Sequence, residues 1–475
     1  MYNISFIQKN MSKSTYCFLF LCFVFVLVKI LSVSYSNLSL FGDEAQYWVW
    51  SKSFEFGYFS KPPLLPWVIG LVTSIFGNSF FVLKMIPLFM YCLTSLIVFF
   101  ISKNLVDDVE MAFVTSMSFF LMPSVSFSSF FVSTDVFLIF FWSLSLLQIL
   151  KIKKSPTTIN FVLLGIFVGM SFLAKYAAIY FILCLALLAI EKEMRLIFLN
   201  NKIKVFLFFF IVTTILAPNL LWNAENGWVT FGHTAHNADL SIAGLKLTES
   251  LKFLGSQILM VGPLLVVYFF YIFKKNVFNT FNTRFLLIFS LPIFFLIFSE
   301  SLLVRANANW AAVALISFLI LFVHVSYRLG KKVLVYNNVV NLAFGLFFFF
   351  LIAQSYGHGP FKKINNIEPF AKSLLSITKK QPEVFVIEDR MLFSNLKYYL
   401  RDGNYDFFSP YNPKKKINHH FQISDPLPEN FNNSFVFLGD IKQIFYLKNN
   451  YTFKHIKKIS VNFTSEPINI YEVSF

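Results

Sequence analysis

The stretch FGDEAQYWVWSKSFEFGYFSKPPLLPWVIGLVTSIFG (residues 41–77) lies between two long apolar runs, at residues 16–35 and 80–101. It opens with two adjacent carboxylates, continues through aromatic residues and reaches a Lys-Pro-Pro triplet. Both flanking runs are long enough to cross the hydrocarbon core of a bilayer. Charges at a membrane boundary are costly unless they are paired, solvated or used in function. The stretch is therefore a candidate functional loop, with a solvated loop and an interfacial aromatic belt as the alternative.

The whole chain is rich in apolar residues. Of its 475 residues 57% are hydrophobic and only 13% are charged, and the mean hydropathy is +0.65. A single soluble core could not bury so much apolar surface. We predict a polytopic α-helical membrane protein with about 11 transmembrane helices, within a range of roughly 9 to 13. The predicted spans are residues 16–35, 80–101, 111–130, 135–150, 159–173, 176–190, 205–221, 253–273, 285–299, 309–327 and 333–354.

The net charge of +16 comes from basic residues that lie between the apolar runs. They form no basic domain, which excludes a nucleic-acid partner. If the N-terminus is cytoplasmic, most of these residues fall in cytoplasmic loops, as the positive-inside rule requires. An odd number of spans then places the C-terminal segment on the outer side of the membrane.

The C-terminal segment, residues 356–475, has a different character. Charges become frequent, and short β-type runs appear at residues 383–387, 434–438, 459–462 and 468–475. Helix-like patterns occupy residues 368–380 and 391–401. We predict a small soluble α/β domain on the periplasmic side. It follows a transmembrane catalytic domain at residues 1–355, whose first outer loop covers about residues 36–80.

The residues of the first outer loop resemble those of the GT-C glycosyltransferases. More narrowly, they resemble the bacterial branch related to protein O-mannosyltransferases and the lipid A aminoarabinose transferase. The matching residues of the loop are Asp43, Glu44, Tyr47, Trp48, Gly57, Tyr58, Lys61, Pro62 and Pro63. Similar short stretches recur at residues 133–135, 173–176, 218–223 and 307–310. The resemblance implies a GT-C fold and transfer of a sugar from a polyprenyl-phosphate donor to an acceptor at the outer face.

Three carboxylates are the candidate catalytic residues. The acceptor hydroxyl needs a general base, and we assign Asp43 to that role. Neighbouring residues of a helix point in different directions, so Glu44 does not share the direction of Asp43. It is either a supporting residue or a solvated or helix-start acid. Asp135 is either a second carboxylate of the site or a partner of Lys175 or Arg305, with a helix N-cap as the alternative.

Three basic residues are the candidate ligands of the donor phosphate. Lys61, Lys175 and Arg305 lie at the outer ends of spans, against the positive-inside trend. Cations there would stabilise the charge that develops on the departing phosphate. The resemblance implies this role for Lys61 and Lys175, and the position of Arg305 suggests it for the third. Snorkelling to lipid headgroups is the alternative.

No metal site is predicted. In the lipid A transferase branch, the residue before the Lys-Pro pair is an acid that can hold a metal. In this chain Ser60 occupies that position, which makes a metal there doubtful. His233 and His236 have i, i+3 spacing near the outer face, but they lack a clear third ligand and we interpret them as ordinary polar-loop histidines. No cofactor is assigned, and the use of a divalent cation is left open.

These observations predict a multi-pass glycosyltransferase of the bacterial inner membrane. The favoured acceptor is lipid A or another envelope glycolipid, and a protein hydroxyl is the second choice. A transporter or flippase of lipid-linked sugars is the alternative of another class. It would need ionisable residues at mid-membrane depth, whereas the ionisable residues here cluster at the outer ends of the spans.

Overall fold

The computed structural model describes residues 13–237, 244–265, 280–378, 383–447, 451–464 and 466–475. Most of them are helical. The α-helices are, in chain order, α1 (Lys13–Tyr35), α2 (Gly42–Trp50), α3 (Leu64–Phe76), α4 (Phe80–Leu105), α5 (Val109–Leu121), α6 (Pro123–Ser128), α7 (Thr134–Lys154), α8 (Thr158–Ala174), α9 (Ile179–Leu188), α10 (Lys192–Asn200), α11 (Lys202–Glu225), α12 (Val229–Asn237), α13 (Leu247–Val261), α14 (Phe281–Ile288), α15 (Leu291–Leu303), α16 (Ala312–Leu329), α17 (Lys331–Ala353), α18 (Ile367–Ile377), α19 (Arg390–Tyr399) and α20 (Phe421–Ser424). The strands are β1 (Val384–Ile387), β2 (Asp406–Phe408), β3 (Phe435–Leu438), β4 (Thr452–Ile459) and β5 (Ile468–Ser474).

Six helical segments of the described residues are long and apolar enough to cross a membrane. They are Phe80–Leu105, Thr134–Lys154, Lys202–Glu225, Phe281–Leu303, Ala308–Leu329 and Lys331–Ala353. Further apolar helices are shorter, at 10–17 residues. The mostly helical architecture with a small C-terminal sheet agrees with the sequence analysis, while the count of about 11 spans stays a prediction.

Prolines divide two of the predicted spans. The segment at residues 111–130 is broken between α5 and α6, where Met122 precedes Pro123 and adopts φ −50° and ψ 138°. Proline disfavours the helical conformation of the residue before it, so α5 ends there. A second break separates α14 from α15, which has Pro292 in its first turn. Of the predicted span at residues 253–273, residues 266–273 lie outside the described part of the chain.

The chain forms two compact units. The first unit comprises Met1–Ser32, Lys61–Leu65 and Lys84–Phe350, and the second comprises Val33–Ser60, Pro66–Leu83 and Leu351–Phe475. The second unit thus combines the C-terminal segment with most of the first outer loop. The division at residue 355 that the sequence suggests stays a prediction.

Small residues allow close helix packing in the first unit. Gly165 and Gly169 lie one turn apart on α8, on the face that meets α11. A Cβ atom at Gly169 would lie 2.9 Å from Ile215 Cδ1, and one at Gly165 would lie 3.0 Å from the carbonyl oxygen of Phe208. This small-xxx-small pattern brings helix backbones together in membrane proteins.

The second unit contains a five-stranded sheet in the order β2-β1-β3-β5-β4. β1 pairs in parallel with β2 and β3, and β5 pairs antiparallel with β3 and β4. Three predicted strands correspond to β1, β3 and β5. The prediction at residues 459–462 is wrong in its bounds, because β4 ends at Ile459. β4 is largely exposed and therefore lacks the apolar alternation from which strands are predicted.

Candidate active site

An ion pair within the first unit joins two of the predicted site residues. The Nζ atom of Lys175 lies 2.7 Å from Oδ1 of Asp135, and the side chains are 17% and 12% exposed. Asn309 donates a hydrogen bond of 2.8 Å from Nδ2 to the other oxygen, Oδ2. Of the alternatives given for Asp135 in the sequence analysis, the structure therefore shows the contact with Lys175, and the catalytic role of this acid stays a prediction.

Each of these three side chains lies at a helix end. Asp135 is in the first turn of α7, after the extended N-cap Ser133. Lys175 is the C-cap of α8, with φ −162° and ψ 134°. Asn309 belongs to the short 3-10 segment Ala308–Ala311 that precedes α16. Asp135 is thus an acid of a helix N-terminus, where the helix dipole favours negative charge, and the N-cap position belongs to Ser133.

A cavity of about 540 Å³ opens beside this cluster. Asp135, Asn309 and Ser133 line it, together with a mostly apolar wall drawn from α4, α5, α6, α13 and α16. The wall includes Tyr91, Phe119, Phe131, Met260 and Leu315. A cavity with convergent polar groups and an apolar remainder has the composition of a small-molecule or lipid site.

Asp43 lies in the second unit and makes a different contact. It occupies the first turn of α2, and its side chain is 38% exposed. Nη1 of Arg390 donates to Asp43 Oδ1 over 3.1 Å and to Gln46 Oε1 over 2.6 Å. Asp43 therefore remains accessible while one of its oxygens is held.

Glu44 has turned inward at the start of the same helix. Its Oε2 accepts a hydrogen bond of 2.8 Å from the backbone N–H of Phe41, and the residue is 2% exposed. This carboxylate satisfies one of the free amides of the helix N-terminus. It corresponds to the helix-start interpretation given in the sequence analysis.

The remaining predicted residues lie on other segments of the described chain. Lys61 begins the Lys61–Leu65 segment of the first unit and is partly buried. Arg305 is exposed, and no contact with Asp135 or Lys175 is found within the described ranges. Asp43 and Asp135 belong to different units. His236 has a side chain outside the described part of the structure, and no group of three or more His, Cys, Asp or Glu side chains suited to a metal occurs among the described residues.

Sequence reasoning missed Arg390 and Gln46. Arg390 is 347 residues away from Asp43 along the chain, and no motif marks it. Asn309 lies in one of the stretches that carry the resemblance, but the pattern suggested no role for it.

Comparison with known proteins reveals related sequences and folds. The family described as dolichyl-phosphate-mannose-protein mannosyltransferase matches residues 60–222. The lipid A galacturonosyltransferase RgtD of Rhizobium johnstonii is 26% identical over 462 residues, which cover 95% of this chain and 96% of that protein. The resemblance to the GT-C glycosyltransferases is confirmed. These similarities support a glycosyltransferase of GT-C type.

Solved structures support the same fold. ArnT from Cupriavidus metallidurans in the apo state has a TM-score of 0.69 over 97% of this chain and 98% of that protein. ArnT bound to undecaprenyl phosphate has the same score and coverage. The identity is 13%, so this likeness establishes the GT-C fold alone.

Proposed function

We propose that this GT-C enzyme transfers a sugar from a polyprenyl-phosphate donor to lipid A at the periplasmic face of the bacterial inner membrane. The observation that carries the proposal is the similarity to RgtD, a lipid A galacturonosyltransferase, along nearly the whole length of both chains. The ArnT structure with undecaprenyl phosphate supports the donor class. Galacturonic acid on a polyprenyl phosphate is therefore the first donor to test.

The proposed reaction is a single displacement at the anomeric carbon. The Asp43 carboxylate accepts the proton of an acceptor hydroxyl, whose oxygen forms the new glycosidic bond. The bond between the anomeric carbon and the phosphate oxygen breaks, and polyprenyl phosphate leaves with the electron pair. The partial exposure of Asp43 supports this role, because a base must reach its substrate.

Lys61, Lys175 and Arg305 are the proposed ligands of the donor phosphate. A lysine paired with a carboxylate keeps its charge and its direction while the site is empty. Asp135 and Asn309 supply such support to Lys175, since one contacts its ammonium group and the other holds Asp135. We assign Asp135 to holding this phosphate ligand, and Glu44 to supporting Asp43 by capping its helix.

The arrangement of the chain in the membrane is part of the same proposal. The N-terminus is cytoplasmic, residues 1–355 form the membrane catalytic domain, and residues 356–475 lie in the periplasm. The distribution of basic residues along the sequence supports this orientation. A protein acceptor remains the second candidate, because the mannosyltransferase family that matches residues 60–222 acts on proteins by its description.

The test compares lipid A from cells that produce the wild-type chain, the Asp43→Asn variant or no chain. Mass spectrometry should find one sugar on lipid A with the wild type and none in the other two samples, at equal amounts of protein in the membrane. An unchanged lipid A profile on deletion would exclude the lipid A acceptor. A full product yield from Asp43→Asn would remove the base assignment.

A further inference from the structure

Arg390 links the helix that carries Asp43 to the C-terminal segment of the second unit. We propose that Arg390 is a positioning residue, which holds the Asp43 carboxylate in the orientation that accepts the proton of the acceptor hydroxyl. The inference rests on the base role proposed for Asp43 above. It assigns to the C-terminal segment a direct part in arranging the reaction.

The contact is made by one nitrogen that bridges two positions of α2. Nη1 of Arg390 donates to Asp43 and to Gln46, which are three residues apart and share one helix face. Two acceptors fix the guanidinium over the first turn of α2. Because arginine stays protonated at all relevant pH values, it does not compete with Asp43 for the transferred proton.

The geometry leaves half of the carboxylate available. Arg390 engages Oδ1 of Asp43, and Oδ2 has no hydrogen-bond partner among the described residues. A carboxylate accepts on both oxygens, so Oδ2 can receive the proton while Oδ1 fixes the plane of the group. The two side chains are 37% and 38% exposed, and ion pairs at such positions contribute little to stability. Orientation is thus the larger effect of this contact.

Close packing at the start of both helices sets the position of Arg390. A Cβ atom at Gly42 would lie 2.6 Å from Met391 Sδ and 2.8 Å from Met391 Cβ. The absence of a side chain at Gly42 therefore allows α2 and α19 to approach at the point where Asp43 and Arg390 project. Gly42 and Met391 are the sequence neighbours of Asp43 and Arg390. Their close packing therefore limits how far Asp43 and Arg390 can move relative to each other.

The far end of α19 is attached to the same loop. The backbone N–H of Leu40 donates to the Tyr399 hydroxyl over 2.7 Å. Trp48 meets Tyr398 edge to face with 5.0 Å between ring centroids. These contacts hold α19 against the loop independently of Arg390, so replacing Arg390 leaves most of the interface in place.

The test measures initial rates of lipid A modification in membranes from cells that produce the full chain. Arg390→Gln should slow the reaction roughly 10- to 100-fold, the loss expected when a catalytic group is misplaced by about 1 Å. Arg390→Lys should fall between Arg390→Gln and the wild type. The matched control is Tyr399→Phe, which removes a hydrogen bond from the same interface away from Asp43 and should stay close to the wild-type rate.

Chemical rescue separates positioning from a structural role. Methylguanidinium added to Arg390→Ala membranes should restore part of the lost rate, and it should not change the rate of Tyr399→Phe. Equal rates for Arg390→Gln and Tyr399→Phe, or a lack of rescue, would overturn the inference. Failure of the base assignment has a separate signature, since Asp43→Asn would then modify lipid A at the wild-type rate.

Discussion

Lys175 and Asp135 form an ion pair of 2.7 Å between the ends of two helices, although 40 residues separate them in the chain. Asn309, from a third segment, donates a hydrogen bond to the second carboxylate oxygen of Asp135. Three helix ends of the first unit therefore meet at one carboxylate beside the cavity. The proposed phosphate ligand is held in place before any donor binds.

Breaking this ion pair should cost stability and activity in different ways. Lys175→Gln or Asp135→Asn alone leaves one poorly solvated charge unpaired, which costs about 3 kcal/mol. The double variant removes both charges and should unfold closer to the wild-type temperature in detergent. It should remain inactive, because the proposed phosphate ligand is lost. Additive losses of stability in the double variant would show that the two groups are not coupled.

The protein should tolerate loss of the Asn309 side chain better than a negative charge at this position. Asn309→Ala loses one hydrogen bond to a charged group, worth about 2 kcal/mol. Asn309→Asp places a second carboxylate against Asp135 and should lower both the unfolding temperature and the rate further. Thermal unfolding in detergent and lipid A modification in membranes check both variants. An Asn309→Asp protein as active as Asn309→Ala would contradict this account.

The second unit should lose stability as the pH falls. Burial lowers the pKa of His420 to about 4, and burial together with the nearby Arg390 charge lowers that of His419 to about 4. In the unfolded chain histidine takes up a proton below about pH 6.5. Between these values the unfolded state binds more protons, so stability decreases on acidification, by roughly 2 kcal/mol for each histidine at pH 5.

Tryptophan fluorescence can follow this pH effect, because the ring of Trp50 lies 5.2 Å from that of His420. The unfolding temperature of the wild type should drop between pH 7 and pH 5, and His420→Gln should show a smaller drop. His455→Gln, at an exposed position of β4, is the matched control and should keep the wild-type slope. Equal slopes for all three proteins would refute the assignment to His420.

Added volume at Gly169 should separate α8 from α11. A methyl group there meets Ile215 at 2.9 Å, and overpacking of this kind costs about 1 to 3 kcal/mol. Gly169→Ala should lower the unfolding temperature in detergent, and the further change Ile215→Ala should restore part of it. Gly255→Ala is the control, because the Cβ atom it adds meets no packing partner within 4 Å among the described residues. If the two alanine variants unfold alike, the close helix approach at Gly169 is not required.

The sequence predicted those parts of the structure that have a local signal. Apolar runs marked α4, α7, α11 and α17, because a lipid environment requires long apolar helices. The break at Pro123 is also local in origin, although the continuous apolar pattern concealed it. The three-residue strand β2 was too short for a pattern to reveal.

The contacts of the candidate site also differ in whether the sequence could suggest them. The pairing of Asp135 with Lys175 was one of the alternatives that the sequence offered, since both charged residues lie at ends of predicted spans. The contact between Asp43 and Arg390 was not accessible, because it depends on how the C-terminal segment folds against the first loop. Only the tertiary structure brings such distant residues together.

The second unit is assembled from segments that lie far apart in the chain, which has a consequence for biosynthesis. α2 leaves the ribosome early, whereas its partner Arg390 follows 347 residues later, which is roughly 20 to 70 s at usual rates of synthesis. The sheet is completed later still, because β5 lies between β3 and β4. The contact between Asp43 and Arg390 can therefore form only after the C-terminal segment has been translated. A nascent or truncated chain carries Asp43 without the arginine that holds it.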